Sequence, residues 1–458
     1  MTEFTTQPLP PELQQALEVL EYRQMTPVQA ASLPPILAGR DVIAQARTGS
    51  GKTAAFGLGL LAKLQPDAGQ VQALVMCPTR ELADQVGKEI RRLARFMPNI
   101  KVSVFCGGVP LRPHLASLVH PPHVVVGTPG RLQELIDEGA LVLEQLRVVV
   151  LDEADRMLDM GFEPAIAGIL SQAPKDRQTL LFSATFPEEI RALGRRFQRE
   201  PEEHTVADGE VAAIVQRFYE VEAPRKTDAL ALLLADEKPE SALVFCNTRR
   251  DVQQVADELA QRGYSVLALH GDLEQRDRDE VLVCFGNRSV QVLVATDVAA
   301  RGLDIKDLPL VVSHGLASDV DTHTHRIGRT GRAGGEGLAL ALVASDERRR
   351  VIGIEEQLGQ AVRWERIDLS RKPAKPAPPA MTTLVVDAGR QDKLRPGDLV
   401  GALTGAAGLP LAEDANLITD HNPWRLGLGW RWQWRKAMAL RADRRARVSA
   451  AQPLSISH

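Results

Sequence analysis

Short apolar runs rich in β-branched residues alternate with helix-like segments over most of the chain. The first series is 41–46, 71–77, 101–106, 123–127, 147–152 and 179–183, and the second is 241–246, 264–269, 290–295, 308–314 and 337–343. Strands of a parallel sheet give such continuous apolar runs because helices cover both faces of the sheet. The pattern therefore predicts an α/β fold with two tandem domains, residues 1–205 and 206–370.

A proline-rich segment, RKPAKPAPPA at 371–380, follows the second predicted domain. Such a sequence does not pack into a core and favours the extended polyproline conformation, at about 3.1 Å per residue. We expect a semi-rigid linker of about 30 Å. A small C-terminal domain would follow it at 381–458.

Length and composition agree with this division. The 458 residues exceed what one core usually serves, and 25% charged with 44% hydrophobic residues is ordinary for a soluble protein. No apolar run approaches the roughly 20 residues of a membrane span, and the N-terminus lacks the features of a signal peptide, so we expect a cytoplasmic location. The four cysteines form no CxxC pair, which favours reduced core residues over disulfides or a zinc site. They are Cys77, Cys106, Cys246 and Cys284.

Charge is distributed unevenly along the chain. From Arg371 onward there are 14 Lys and Arg against 7 Asp and Glu, a surplus of +7, whereas the whole chain carries −4. The part before Arg371 must then carry −4 − 7 = −11. A basic tail on an acidic body is expected when the tail contacts an acidic polymer.

The segment ARTGSGKT at 46–53 follows a predicted strand and begins a predicted helix. It matches the GxxxxGK[ST] phosphate-binding pattern except that Ala46 replaces the first glycine. Gly49 and Gly51 would let backbone N–H groups surround phosphate oxygens, while Lys52 would reach the outer phosphates and Thr53 could bind Mg²⁺. The alternative is a glycine-rich turn that binds nothing.

Three carboxylates, Asp152, Glu153 and Asp155, follow the buried run VVVL. Acidic residues at the start of a helix can simply cap it. With a phosphate site in the same domain, however, Asp152 would hold Mg²⁺, directly or through water, and Glu153 would orient and deprotonate the attacking water. Binding of the metal would offset the repulsion among these charges.

Several motifs occur in order across the two predicted domains: ARTGSGKT, PTREL (78–82), TPGR (128–131), LDEAD (151–155), SAT (183–185), ATDVAARGLD (295–304) and HRIGRTGR (325–332). Over about residues 4–370 the chain resembles the DEAD-box RNA helicases. The resemblance implies an RNA-dependent ATPase with two RecA-like domains. It also implies ATP and Mg²⁺ as ligands and RNA as the partner.

The resemblance assigns residues to the nucleotide. Gln29 in YRQMTPVQ (22–29) would read the adenine edge and Tyr22 would stack on the base, although this segment could also be an N-terminal cap that packs on the sheet. Asp304 would contact the ribose, and Gly302 would permit close approach to it. The implied nucleotide site is Tyr22, Gln29, Thr48, Gly49, Ser50, Gly51, Lys52, Thr53, Gly302 and Asp304, with Thr53 and Asp152 as metal ligands.

Arg326 and Arg329 resemble arginine fingers, which would reach the γ-phosphate from the second domain and make hydrolysis depend on domain closure. Their alternative is a helix-capping or surface role. The implied catalytic residues are Lys52, Asp152, Glu153, Arg326 and Arg329. The HxH pair His323 and His325 has no further ligands nearby in sequence, so we expect no metal there.

Helicases of this family hold RNA along its sugar-phosphate backbone, through contacts that carry no sequence information. The matching residues are Thr79, Arg80, Gly107, Gly108, Thr128, Arg131, Thr248, Gln275, Arg278, Thr296 and Asp297. Residues that would couple the ATP state to the RNA grip are Asp155, expected to contact the second domain, with Ser183, Thr185 and His325. Three positions depart from the family pattern and could alter the rate: Ser313, His314 and His323.

The segment 383–405 resembles the start of the RRM-like α+β domain of the DbpA-type helicases, which directs them to a hairpin of large-subunit ribosomal RNA during subunit assembly. A generic small βα unit is the alternative. A second strand is expected within 415–421.

The remainder of the tail allows two interpretations. In WRLGLGWRWQWRK (424–436) one face of a strand would carry large apolar side chains able to stack on bases. These are Leu426, Leu428, Trp430, Trp432 and Trp434. In the interpretation that we favour, the Arg and Trp richness instead marks a changed reading frame, which leaves the domain without its last strand.

We therefore expect a monomeric ATP-dependent RNA helicase that acts on ribosomal RNA in ribosome assembly and does not associate with membranes. The alternatives are a general DEAD-box unwindase in cold adaptation or RNA decay, and a passive ATP-gated RNA clamp.

Overall fold

The computed structural model describes residues 3–46, 49–186, 188–205, 214–300, 308–331, 337–359, 361–379, 381–386, 416–418, 424–429 and 448–450. Described residues up to 205 form one compact unit, the first domain. Those from 214 onward form a second unit, which comprises the second domain and the last four strands, here called the C-terminal sheet. Within these ranges no helix has the length and apolar character needed to cross a membrane.

The first domain is built on a seven-stranded parallel sheet of order β3-β4-β2-β5-β6-β1-β7. The strands are β1 Val42–Gln45, β2 Ala73–Met76, β3 Val102–Phe105, β4 Val124–Gly127, β5 Val148–Asp152, β6 Gln178–Ser183 and β7 Glu202–Thr205. The described helices are α1 Pro11–Val19, α2 Pro27–Leu37, α3 Lys52–Leu61, α4 Arg80–Leu93, α5 Leu111–Leu118, α6 Pro129–Asp137, α7 Ala154–Asp159, α8 Glu163–Gln172 and α9 Glu188–Phe197.

Alternate residues of the central strands supply two cores, one on each face of this sheet. Val75 and Val150 belong to the core that α1 to α4 cover, whereas Leu74 and Val149 belong to the core on the face of α5 to α9. All residues of β2, β4, β5 and β6 are buried as a result. This double covering explains why these strands are continuous apolar runs in the sequence.

The second domain repeats the architecture, with a parallel sheet of order β10-β11-β9-β12-β13-β8-β14. Its strands are β8 Ile214–Glu220, β9 Ala242–Cys246, β10 Val266–Leu269, β11 Val292–Thr296, β12 Leu310–Ser313, β13 Gly337–Val343 and β14 Trp364–Glu365. Its described helices are α10 Lys226–Glu237, α11 Arg249–Gln261, α12 Gln275–Gly286, α13 Asp297–Ala300, α14 Val320–Ile327 and α15 Arg348–Leu358.

The predicted α/β fold with two parallel sheets is confirmed, and each predicted apolar run overlaps an observed strand. Strands β7, β8 and β14 were not predicted. They lie at or next to a sheet edge, and β7 has the polar sequence EEHT with alternating exposure. An edge strand needs no continuous apolar run, so it leaves little signal in the sequence. The four cysteines are buried free thiols, as expected.

The C-terminal sheet is antiparallel, with the order β16-β17-β15-β18. Its strands are β15 Met381–Val386, β16 Asn416–Ile418, β17 Trp424–Gly429 and β18 Val448–Ala450. The expectation that the last strand is missing is wrong for this structure, because β18 pairs with β15. Trp430, Trp432 and Trp434, assigned to one strand face, lie outside the described residues.

The first strand of the C-terminal sheet is bonded to the second domain just after α12. The amide Nδ2 of Asn287 donates to Thr383 Oγ1 at 2.7 Å, and that hydroxyl donates to Ser289 Oγ at 2.7 Å. Asn287 and Thr383 are 5% and 2% exposed. A buried polar contact of this kind fixes the start of β15 beside the turn that follows α12.

Candidate functional site

The carboxyl ends of the parallel strands bring the predicted site residues to one edge of the sheet in the first domain. The loops after β1, β5 and β6 carry the predicted ATP and coupling residues, and those after β2, β3 and β4 carry predicted RNA residues. The strand order makes each set contiguous, with β5 and β2 as neighbours at the boundary. Ligands of open α/β sheets bind at this edge. The motifs therefore define a nucleotide half and an RNA half of one edge.

The phosphate loop is described from Gly49 onward, and Thr48 lies outside the described residues. Gly49 and Gly51 have φ angles of 87° and 94°, a left-handed conformation that glycine adopts without strain. Lys52 begins α3 and is buried, and its ammonium donates to the Ala46 carbonyl at 2.8 Å. The unbonded N–H groups at the start of a helix attract anions, so loop, helix and lysine together suit a phosphate group.

Asp152 ends β5 with a carboxylate that is only 2% exposed. Its Oδ1 has no hydrogen-bond partner among the described residues. Burial raises the pKa of Asp152 to about 6, because desolvation and the charge of Glu153 outweigh the attraction of Lys52. An unpartnered carboxylate oxygen in a buried position fits a hard divalent cation such as Mg²⁺, for which oxygen ligands are preferred. Thr53 lies nearby in sequence, in the first turn of α3.

Glu153 connects β5 to α7 in a left-handed conformation, with φ 53° and ψ 51°. A residue other than glycine rarely adopts this region, and such strain is typical of functional sites. Its buried carboxylate lies 3.4 Å from Nε of Arg156 in the first turn of α7. The backbone therefore places a buried acidic residue directly after Asp152 in the sequence, where a general base is expected.

Gln29 contacts the phosphate loop. Its Oε1 accepts from the Thr26 backbone N–H at 2.8 Å, and its Nε2 donates to the Gly51 carbonyl at 3.0 Å. The first contact is half of a capping box at the start of α2. The predicted adenine reader thus also supports the loop, and reading a base would need its remaining hydrogen-bonding capacity or a change of partners.

Tyr22 is held by two neighbours in the first domain. Its hydroxyl donates to Glu89 Oε1 at 2.9 Å, and its ring stacks on Phe4 with 6.3 Å between centroids. Burial and the charge of Glu89 raise the pKa of Tyr22 to about 12. Phe4 was not identified from the sequence, because its proximity to Tyr22 depends on the fold of the N-terminal segment.

The predicted coupling residues Asp155, Ser183 and Thr185 lie together. Asp155 Oδ2 accepts from the backbone N–H and the hydroxyl of Thr185, at 3.0 and 2.9 Å. The Asp155 N–H donates to Ser183 Oγ at 3.2 Å. Asp155 was expected to contact the second domain, but these bonds all lie within the first. They join the end of β5 to the end of β6.

In the RNA half, threonine hydroxyls accept bonds from backbone N–H groups. Thr79 Oγ1 accepts from Leu82 at 3.3 Å and caps α4, while Thr128 Oγ1 accepts from Gly107 at 3.3 Å. Gly108 has φ 74°, and a side chain there would collide with the guanidinium of Arg80. Backbone turns, hydroxyls and this arginine therefore come together after β2, β3 and β4.

Arg131 is engaged by other residues of the first domain. It was predicted to contact RNA, but it is only 7% exposed. Its guanidinium bonds to the Val109 carbonyl at 2.7 Å, to His114 Nδ1 at 2.6 Å and to Glu134 at 2.8 Å. These partners hold the arginine within the first domain, and its contact with RNA remains a prediction.

The predicted RNA residues of the second domain also follow adjacent strands. Thr248 follows β9 and caps α11, accepting from the Asp251 N–H at 3.1 Å. Thr296 ends β11 and accepts from the Ala299 N–H at 3.3 Å. Gln275 and Arg278 lie in the first turn of α12, the helix that follows β10. Since β10, β11 and β9 are neighbours, these residues share the carboxyl edge of their sheet.

Arg326 is engaged by other residues of the second domain. It was predicted to reach a γ-phosphate, yet it is 1% exposed and its partners lie in its own domain. Nε and Nη2 donate to the two carboxylate oxygens of Asp297, each at 2.7 Å. Nη2 also donates to Asn247 Oδ1 at 2.9 Å, and Nη1 donates to the Gly315 carbonyl at 2.6 Å. Both carboxylate oxygens of Asp297, which was predicted to contact RNA, accept bonds from Arg326. The pair joins the loops after β9, β11 and β12.

Arg329 lies one turn after Arg326 and is also buried, at 4% exposed. His325 lies in α14. Gly302 and Asp304 fall outside the described residues.

Of the three departures from the family pattern, Ser313 and His323 are buried and His314 is partly buried. His323 Nε2 lies 3.0 Å from Gln216 Oε1, and burial lowers the pKa of His323 to about 4. Burial likewise lowers the pKa of His314 to about 4. The Ser313 hydroxyl lies 3.4 Å from Nη1 of Arg326. Of the three residues, Ser313 therefore contacts Arg326 directly, whereas the His314 ring lies 3.3 Å from the Thr227 hydroxyl.

Comparisons with known proteins agree with this geometry. The family model of the DEAD/DEAH box helicase matches residues 26–193, and that of the helicase conserved C-terminal domain matches residues 225–334. The ATP-dependent RNA helicase DbpA of Escherichia coli is 52% identical over 415 residues, covering 90% of this chain and 91% of that protein. The DEAD-box ATP-dependent RNA helicase CshA of Bacillus cereus is 44% identical over 357 residues, covering 78% and 68%.

Solved structures give the same result. Dbp5 of Saccharomyces cerevisiae bound to RNA and ADP BeF3 superposes with a TM-score of 0.72 at 30% identity, covering 81% of this chain and 96% of that one. Mss116 bound to single-stranded RNA and UDP-BeF superposes with a TM-score of 0.72 at 26% identity, covering 80% and 79%.

Proposed function

The chain belongs to the DEAD-box family of ATP-dependent RNA helicases, and we propose that it separates short duplexes of large-subunit ribosomal RNA during ribosome assembly. Family membership establishes the ATP-dependent helicase activity. The target is inferred from the tail. The match to the E. coli relative spans 415 residues, more than residues 1–370 provide, so it extends into the tail.

One observation carries the proposed target. The described residues after the linker pair into a four-stranded antiparallel sheet, and the tail that contains it has a charge of +7. RNA-binding domains of the RRM type use such a sheet to stack bases of single-stranded segments. A helicase core that contacts only the RNA backbone has no means of selecting a sequence, so selection falls to the tail.

In the proposed ATP cycle, the phosphates bind at the start of α3. Lys52 exchanges the Ala46 carbonyl for phosphate oxygens, which carry more negative charge. Mg²⁺ held by Asp152 and Thr53 would neutralise charge on the phosphates when bound. Glu153 accepts a proton from the attacking water as general base. Arg326 and Arg329 remain the predicted contacts of the γ-phosphate, and Arg326 would have to leave Asp297 to reach it.

The RNA half would grip one strand through hydroxyls and backbone N–H groups. The bonds of Asp155 with Thr185 and Ser183 connect the two strand ends nearest the nucleotide, so a shift of the loop after β6 on ATP binding would be transmitted to the loop after β5. We propose that this shift accompanies bending of the bound strand and separation of the duplex. We also propose that the protein is a monomer and that it acts in the cytoplasm. Light scattering at micromolar concentration would test the oligomeric state.

The target is tested by ATP hydrolysis in the presence of the large-subunit hairpin or of unrelated RNA of equal length. We expect the hairpin to stimulate hydrolysis at least tenfold more strongly at subsaturating concentration. Equal stimulation would reject the ribosomal target and favour a general unwindase. That result would agree with the likeness to CshA, which covers 78% of the chain.

The passive clamp is tested by multiple-turnover strand separation, with Glu153→Gln beside the parent protein. We expect the parent to separate many duplexes per molecule and the variant to hold RNA with ATP without turning over. If the parent also holds RNA without separating strands, the clamp is the better description.

A further inference from the structure

We propose that Arg156 is a positioning residue for ATP hydrolysis, which holds the Glu153 carboxylate in the orientation that accepts a proton from the attacking water. The inference rests on the proposed role of Glu153 as general base. Arg156 would not touch the nucleotide itself. It would act through the carboxylate beside it.

The contact is a buried ion pair within one helical turn. Nε of Arg156 lies 3.4 Å from Glu153 Oε2, and both side chains are only 4% exposed. The Arg156 backbone N–H donates to Asp155 Oδ1 at 3.0 Å, which fixes the start of α7. Nη1 of Arg156 has no hydrogen-bond partner among the described residues. Burying an arginine with part of its hydrogen-bonding capacity unused is unfavourable, so a purely structural role explains Arg156 poorly.

Glu153 needs such a partner because its backbone conformation fixes only its Cα. The left-handed φ and ψ place the residue at the end of β5, but the carboxylate still has three side-chain torsions. A cation at a defined position selects among these rotamers. Oε2 is the oxygen that faces Arg156, at 3.4 Å, and the contact is an ion pair and not a hydrogen bond.

The surrounding charges make the pairing more important. Asp152 and Asp155 flank Glu153 in sequence, and the buried thiol of Cys77 lies near enough for both Asp152 and Glu153 to raise its pKa, after burial. Lys52 also acts on this cluster, through Asp152. Once Lys52 turns to the phosphates, Arg156 still balances the carboxylate of Glu153.

The experiment compares Arg156→Gln and Arg156→Lys with the parent in the full chain, at saturating RNA. We expect Arg156→Gln to lower kcat for ATP at least tenfold while KM for ATP and for RNA stay within twofold, because a general base contributes about 10²- to 10⁴-fold and only its orientation is lost. Arg156→Lys retains the charge without the planar fork and should recover part of the rate.

The control is Arg177→Gln, which removes another buried arginine of the same domain. Arg177 is 7% exposed and donates to the Pro174 carbonyl at 2.7 Å. It directly precedes β6, whose first residue pairs with the first residue of β5, so it lies at the opposite end of β5 from Glu153. Arg177→Gln should lower the thermal stability as much as Arg156→Gln does, but it should leave kcat unchanged. If Arg156→Gln does not fold, Arg156→Lys carries the test, since it should still lower kcat at least threefold.

Combination with Glu153→Gln separates positioning from a structural effect. In single-turnover hydrolysis, Arg156→Gln should slow the Glu153→Gln protein by no more than twofold, because the group that it positions is already gone. A further tenfold loss, an effect on KM alone, or an unchanged kcat in Arg156→Gln would overturn the proposal. If Glu153→Gln hydrolyses ATP like the parent, the general-base assignment fails instead.

Discussion

Arg326 and Asp297 form a two-point ion pair inside the second domain, with Nε donating to one carboxylate oxygen and Nη2 to the other, each at 2.7 Å. Arg326 is 1% exposed, so water cannot replace a lost partner. Asn247 and Gly315 bind the same guanidinium from the ends of β9 and β12. The pair is thus the centre of a network that holds three loops of the carboxyl edge together.

Removal of the negative charge should destabilise the second domain. Asp297→Asn leaves a buried guanidinium without its counter-charge, so we expect the free energy of unfolding to fall by about 3 kcal/mol. Denaturation monitored by hydrogen exchange in β11 and β12 would measure it. The control is Glu240→Gln, which breaks the exposed pair with Arg288 and should cost less than about 0.5 kcal/mol. Equal losses in both variants would contradict the assignment.

The affinity for Mg²⁺-nucleotide should depend on pH through Asp152. Because burial raises the pKa of Asp152 to about 6, protonation competes with the metal below that value, and affinity should fall by up to about tenfold for each pH unit. Titration with Mg²⁺-ADP between pH 5 and 8 would reveal this slope. Asp152→Asn should abolish it, as should omission of Mg²⁺.

Asp152 should also make the stability of the protein depend on pH, but in the opposite direction, with low pH favouring the folded state. The pKa of Asp152 is higher in the folded protein than in the unfolded chain, so the folded state binds a proton more tightly. This contribution to stability is complete below about pH 4 and is lost as the pH rises through about 6. Without ligand, Asp152→Asn should therefore gain stability relative to the parent at pH 7.5 but not at pH 4. Equal differences at the two pH values would contradict the raised pKa.

The layout of the site could be predicted from the sequence because it follows from sheet chemistry. Lys52, Asp152 and Glu153 come directly after apolar runs, and parallel strands bring such positions to one edge. The order of motifs then suffices to separate the nucleotide half from the RNA half.

The partners of buried polar groups could not be predicted in this way. The sequence does not distinguish Arg326 and Arg131 from exposed arginines. Only the fold places Asp297 beside Arg326 and His114 beside Arg131. Asp297 is 29 residues from Arg326, on a different strand end. A sequence motif identifies an arginine as a functional candidate, whereas only the fold shows which groups that arginine binds.

The hydroxyl of Thr185 should serve coupling more than hydrolysis. It donates to Asp155 Oδ2 at 2.9 Å, a bond to a charged group worth about 1.5–3 kcal/mol. In Thr185→Val the backbone N–H still donates at 3.0 Å, so the loop should keep its fold. We expect strand separation to fall at least tenfold and RNA-stimulated ATP hydrolysis to fall less than threefold. Parallel losses in the two assays would indicate a defect in the ATP site instead.

The contact between Asn287 and Thr383 should influence the concentration of hairpin RNA that is needed to stimulate ATP hydrolysis. Asn287 Nδ2 donates to the buried Thr383 hydroxyl at 2.7 Å, directly after α12, the helix that carries Gln275 and Arg278. Asn287→Ala leaves that hydroxyl with Ser289 alone, so β15 should dock less firmly, by about 1–3 kcal/mol. We expect hairpin-stimulated ATP hydrolysis to need at least fivefold more RNA, with unstructured RNA equally effective in variant and parent. Arg288→Ala, which alters the exposed neighbour, should change neither value. Equal weakening for both RNAs would place the effect of Asn287 in α12 and not in the attachment of the tail.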